Sequence, residues 1–143
     1  MTNGKILLTT TLIWLATSVA AANPYPALSQ PPQKPVALLK SVIVQGQALL
    51  ASSFAQTLYV FDPDQAAAKP SCAGTCAEKW PPLILSDAEG KTLRAPYAVV
   101  ARDNGLNQVT YQGRPVYTFF LDRVPGDIKG DGLGGVWHII KLN

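Results

Sequence analysis

From about residue 36 onward, apolar side chains come in short runs of the length and composition of strands, with none of the three-to-four-residue periodicity of a long helix. Residues 41–44, 48–51, 57–61, 98–101, 108–111, 114–120 and 136–141 are rich in β-branched and aromatic residues, and they predict strands. Turn chemistry separates them: Asp62-Pro63-Asp64, Asp87-Ala88-Glu89-Gly90, Asp103-Asn104-Gly105 and Gln112-Gly113. Asn104-Gly105 can supply the positive φ values of a tight turn, which predicts a hairpin over residues 98–111, and Gln112-Gly113 extends it into a meander. A single short helix is expected near residues 71–79, with Ser71 or Thr75 available as caps. The fold class this predicts is mainly β: a small antiparallel sheet or a barrel-like domain.

The N-terminal pattern is different. Lys5 precedes an apolar run over residues 6–16, and the small residues of Ser18-Val19-Ala20-Ala21-Ala22 follow. A run this short falls below the ~20 residues that span a bilayer. Charge, apolar run and an Ala-x-Ala pair at Ala20 and Ala22, in that order, predict a signal peptide over residues 1–22. Residues 23–35 carry Pro24, Pro26, Pro31, Pro32 and Pro35 and predict an extended leader, because proline fixes φ and removes amide donors. Residues 36–143 are left as one β domain. The signal peptide places the protein in the periplasm or outside the cell, and no transmembrane segment is expected in the mature chain. No cysteine stands at the cleavage site to take a lipid.

Within that domain the sequence repeats. Leu58-Tyr59-Val60-Phe61 through Asp64 aligns with Val116-Tyr117-Thr118-Phe119 through Asp122 at a constant offset of 58 positions, and both read Tyr-x-Phe-x-x-Asp. Trp80 follows the first copy and Trp137 the second. The two halves cover about residues 41–85 and 98–141. On a strand, Tyr and Phe two residues apart share a face, so Tyr59 with Phe61 and Tyr117 with Phe119 are expected to pack in the core or across strands. Asp64 and Asp122 fall at strand exits, where a carboxylate accepts turn amides.

Several segments together resemble the bacterial "secreted repeat of unknown function" family, the predicted lipoproteins described by a Tyr-x-aromatic-x-x-Asp motif. They are Leu58 to Asp64, Cys72-Ala73-Gly74-Thr75-Cys76, Trp80-Pro81-Pro82-Leu83, Gln108 to Tyr117, Pro125-Gly126-Asp127 and Val136-Trp137-His138. The resemblance runs over about residues 36–141 and implies export and a repeat-built β domain. Two departures stand out. The lipoprotein cysteine is missing, and Ser52-Ser53-Phe54-Ala55-Gln56 stands where relatives have an Asp/Gly-rich turn.

Charge and candidate chemistry narrow the function further. The formal charge is only +3, and Lys5, inside the signal peptide, is part of it; the basic residues are scattered, which argues against nucleic acid. Cys72 and Cys76 are the only cysteines, and in an exported protein a disulfide is the default, closing a small loop. With the disulfide, His138, the sole histidine, reads as an edge or half-buried strand residue making one hydrogen bond; the alternative is a thiol redox pair, or a soft-metal site in which Cys72 and Cys76 join His138. Three such ligands suit copper(I), while zinc would want a fourth. Asp127 and Asp131 lack the alternating spacing of a calcium loop and read as a glycine-rich turn. With no Gly-x-Ser-x-Gly elbow and one histidine, no catalytic residues can be named. The expectation is a non-enzymatic envelope or extracellular binding or structural module without a cofactor. The alternative is a copper-binding or redox protein.

Overall fold

The computed structural model describes residues 38–65 and 69–143. The signal peptide and the proline-rich leader expected over 1–35 lie outside them. Eight strands, β1 (Leu39–Val44), β2 (Gln47–Ser52), β3 (Tyr59–Phe61), β4 (Ile84–Leu85), β5 (Tyr97–Ala101), β6 (Asn107–Tyr111), β7 (Arg114–Tyr117) and β8 (Trp137–Ile139), dominate. Two short helices, α1 (Thr75–Lys79) and α2 (Asp87–Gly90), and 3-10 turns at Asp62–Gln65 and Leu133–Gly135 complete the fold.

Among the described residues every strand pairing is antiparallel, and no barrel closes. One sheet runs β4-β6-β7-β3-β8 with β5 on β6, and β1-β2 form a separate hairpin. Isolated bridges tie that hairpin back: Leu49 to Lys141 and Ala51 to Thr57. The domain is built twice about a local two-fold axis. β3 and β7 pair with Tyr59 directly opposite Tyr117, so the axis passes between the two motif tyrosines. Backbone hydrogen bonds repeat with it. Asp62 N–H donates to Val136 O at 2.9 Å and Phe120 N–H to Lys79 O at 3.0 Å; Leu50 N–H donates to Ile140 O and Val109 N–H to Leu83 O, both at 2.9 Å.

Strand alternation sorts the central strands onto two cores. Leu58, Val60 and Val116 join Leu50, Val109 and Ile140 on one face. Tyr59, Tyr117, Phe119 and Trp137 join Cys72 and Trp80 on the other. Buried on both faces, β3 and β7 read as near-continuous apolar runs in the sequence.

Several details differ from the sequence expectation; the helix expected over 71–79 covers only Thr75–Lys79, with Gly74 at its N-cap and no side-chain cap from Ser71 or Thr75. Residues 87–90 form a helical turn where a plain turn was expected, because Ser86 and Glu89 make a reciprocal capping box: Ser86 N–H donates to Glu89 Oε2 and Glu89 N–H to Ser86 Oγ. Ile84–Leu85 adds a strand too short to register as a pattern. The expected strand 114–120 ends at Tyr117, since Thr118 and Phe120 turn to donate to the carbonyls of Pro81 and Lys79. At the β5–β6 turn only Gly105 takes positive φ, whereas at the β6–β7 turn both Gln112 and Gly113 do.

Candidate functional site

The motif residues converge on the two-fold axis and exchange partners across it. Tyr59 Oη donates to Asp122 Oδ2 at 2.6 Å, and Tyr117 Oη donates to Asp64 Oδ2, also at 2.6 Å. Each tyrosine is thus bonded to the aspartate of the other repeat. The second carboxylate oxygens clamp their own loops: Asp64 Oδ1 accepts from Ser71 N–H at 2.7 Å and from its hydroxyl at 2.5 Å, and Asp122 Oδ1 accepts from Lys129 N–H at 3.0 Å. All four side chains are buried. Ser71 and Lys129 are themselves 58 positions apart, so the clamp obeys the same symmetry.

Above the tyrosines lies a four-ring stack in the order Phe61, Trp137, Trp80, Phe119. Its centroids are spaced 4.2, 3.8 and 4.3 Å, and the two indoles lie 4° from parallel. Here too each motif phenylalanine covers the tryptophan of the other repeat. Tyr59 meets Trp80 edge-on at 5.4 Å and Tyr117 meets Trp137 edge-on at 5.2 Å. Gly130 lies so close to this cluster that an added Cβ would stand 2.6 Å from the Trp80 ring.

Burial, then the hydrogen bond and negative charge of the facing aspartate, push both tyrosine hydroxyls well above their ordinary ionisation range. A folded-state value above the unfolded one of about 10 gives stability that is complete below that pH and is lost as pH climbs toward the folded value. Tyrosinate absorbance is therefore expected to show Tyr59 and Tyr117 ionising only together with alkaline unfolding. Ionisation of every tyrosine near pH 10 with the fold intact would contradict the buried exchange.

Cys72 and Cys76 form a disulfide, with Cα atoms 5.3 Å apart. Cys72 lies outside α1, in the irregular segment before it, and packs in the aromatic cluster. Replacing both cysteines with serine is expected to cost about 2 kcal/mol in chemical denaturation, because so short a loop restrains the unfolded chain only weakly. The intact protein should gain the mass of two hydrogens on reduction. His138 is not brought to the sulfurs. Alternation along β8 sends it to the face opposite Trp137, and among the described residues no group of three or more His, Cys, Asp or Glu is arranged to hold a metal ion. Thiolate donors would exist only after reduction.

Of the loop acids, Asp127 accepts from Lys129 Nζ at 2.8 Å and from the amides of Arg123 and Val124, and these hold its carboxyl down at about 2. Asp131 accepts from the Ile139 amide. Both serve backbone geometry.

His138 is a half-buried strand histidine with one hydrogen bond, to a partner that the sequence does not name. Its Nε2 lies 3.0 Å from Asp62 Oδ2, and Arg114 Nη2 lies 3.0 Å from Asp62 Oδ1. Arg114 from β7, Asp62 at the exit of β3 and His138 from β8 thus form a row across three adjacent strands. Partial desolvation works to raise the Asp62 pKa, but the hydrogen bond and charge of His138, then those of Arg114, outweigh it and lower the value. Arg114 Nε is buried with no acceptor among the described residues, an arrangement that costs about 1–3 kcal/mol. The row has no counterpart in the other half. By the repeat offset and the matching backbone bonds, Phe120 stands in the place of Asp62, Gln56 in that of Arg114 and Pro81 in that of His138. The scaffold does not require these polar groups. That contrast between halves is readable from the aligned repeats, although Asp62 by itself reads as turn chemistry and Arg114 as the first residue of a strand.

No curated protein and no solved structure is matched by the chain. The profile of the family described as "secreted repeat of unknown function" matches residues 46–84 and 98–141, more than half of the chain, with one match on each symmetric half. The chain belongs to the secreted repeat of unknown function family.

Proposed function

We propose that the protein is an exported, non-enzymatic binding module of the cell envelope or extracellular space. The observation that carries this reading is the reciprocal exchange on the axis: the two tyrosines and two aspartates of the family motif satisfy one another in the interior. Buried, mutually bonded groups stabilise a scaffold and are withheld from substrate. Among the differences between the halves, the Asp62, Arg114 and His138 row reaches the surface, and variation on a fixed scaffold is how binding specificity is built.

The test is turnover. The mature protein is incubated with an envelope extract from its host, and the small molecules are followed over time by mass spectrometry. No component should be consumed. Time-dependent loss of a component with wild-type protein, abolished by His138→Ala, would overturn the reading in favour of an enzyme.

A further inference from the structure

The polar row opens onto a cleft of about 220 Å³ lined by Val60, Tyr111, Arg114, His138 and Lys141, among others. That is below the roughly 300–1,000 Å³ of sites for drug-sized ligands, so its occupant is small. The chemistry of the walls is lopsided. Arg114 and Lys141 carry fixed positive charge, and His138 adds a polar ring. Asp62 is already engaged by both Arg114 and His138, and Asp131, on the far side of β8, by the amide of Ile139. Tyr111 and Val60 supply apolar surface on the same cleft, and Val60 is directly paired with His138 across β3 and β8.

We infer that this cleft binds a small organic carboxylate, its anionic head set against Arg114, Lys141 and His138 and its apolar body against Tyr111 and Val60. With Nη2 engaged by Asp62 and Nε buried, Arg114 would meet the carboxylate through its remaining guanidinium donors in a charge-assisted hydrogen bond, and Lys141 adds a mobile point charge at the exposed rim. Asp62 is a positioning residue: it holds Arg114 and His138 on adjacent strands and carries no contact to the ligand. The asymmetry of the duplicated fold supports the assignment, since the equivalent place in the other half, with Gln56, Pro81 and Phe120, offers an acid no positive charge. The inference rests on reading the chain as a binder. Turnover in the extract assay would remove that reading, whereas absence of binding removes only this site.

The experiment is an amide chemical-shift titration of the mature protein with benzoate, alongside neutral benzamide and inorganic phosphate. Benzoate is expected to give saturable shifts confined to β7, β8 and the Gln112–Gly113 turn, and benzamide none there. Lys141→Ala, at an exposed position, should weaken binding about two- to fivefold. Arg114→Gln should weaken it at least about tenfold, and because that change could loosen the sheet, its spectrum is compared with wild type before ligand is added. Should Arg114→Gln fail to fold, Lys141→Ala together with the benzamide comparison decides. The assignment falls if benzoate shifts do not saturate or lie elsewhere, if benzamide reproduces them, or if Lys141→Ala leaves affinity unchanged. Saturation by phosphate but not benzoate would also overturn it, by showing a site for a compact oxyanion.

Discussion

Replacing Trp137 with alanine is expected to destabilise the domain by about 3–5 kcal/mol, the range for emptying a buried aromatic site. Stability in domains of this size is on the order of 0.05–0.15 kcal/mol per residue, so one substitution would remove a large share of it. The reason lies in the position of the ring within the stack. Trp137 lies between Phe61 at 4.2 Å and Trp80 at 3.8 Å and takes the edge of Tyr117 at 5.2 Å, so its loss strips contacts from both halves at once. Trp137→Phe keeps part of the stack and should recover part of the loss. Phe54, 84 % exposed, is the contrasting case, and its alanine variant should stay within about 0.5 kcal/mol of wild type. Guanidinium denaturation of the three variants checks this. A Trp137→Ala cost no larger than that of Phe54→Ala would show that the stack does not hold the halves together.

The second large effect concerns the exchange of hydrogen bonds. Asp122→Ala is expected to cost about 2–4 kcal/mol, because it leaves two donors, the Tyr59 hydroxyl and the Lys129 amide, without their acceptor. Tyr59→Phe should cost less, since Asp122 keeps the Lys129 amide and only the long bond from the Gly130 amide to the Tyr59 hydroxyl loses its acceptor. A double-mutant cycle gives the sharper result. Tyr59→Phe and Asp122→Asn should couple by about 1 kcal/mol or more, while Tyr59→Phe and Asp64→Asn, from the same repeat and not bonded to each other, should be additive within about 0.5 kcal/mol. Stronger coupling of Tyr59 to Asp64 than to Asp122 would mean that each repeat closes on itself.

Much of this architecture was legible in the chain. Strands followed from alternation and β-branched content, and hairpins from Gly105 and from Gln112-Gly113, because both signals are local and the backbone answers them locally. The offset between Tyr59 and Tyr117 identified the repeat. α2 was missed although Ser86 and Glu89 carry a legible capping signal, and β4 was missed because two residues make no pattern. The disulfide and the placement of the histidine were legible to different degrees. Export made the Cys72–Cys76 disulfide the default, and the structure forms that bond. Whether a lone histidine meets those sulfurs depends on which face of β8 it occupies, and that is set by Trp137 entering the core beside it.

By itself, then, the sequence determined the secondary-structure class, the two related halves, the aromatic and acidic residues on which each half turns, and the family. All of these rest on interactions between near neighbours or on comparing one stretch with another. The tertiary structure alone decided who pairs with whom. Tyr59 reaches Asp122 because β3 and β7 run antiparallel through a two-fold axis, which brings residues from opposite halves closer than those within one. The same pairing sets Arg114 and His138 on either side of Asp62, a juxtaposition over more than fifty positions of chain for which a linear pattern holds no signal.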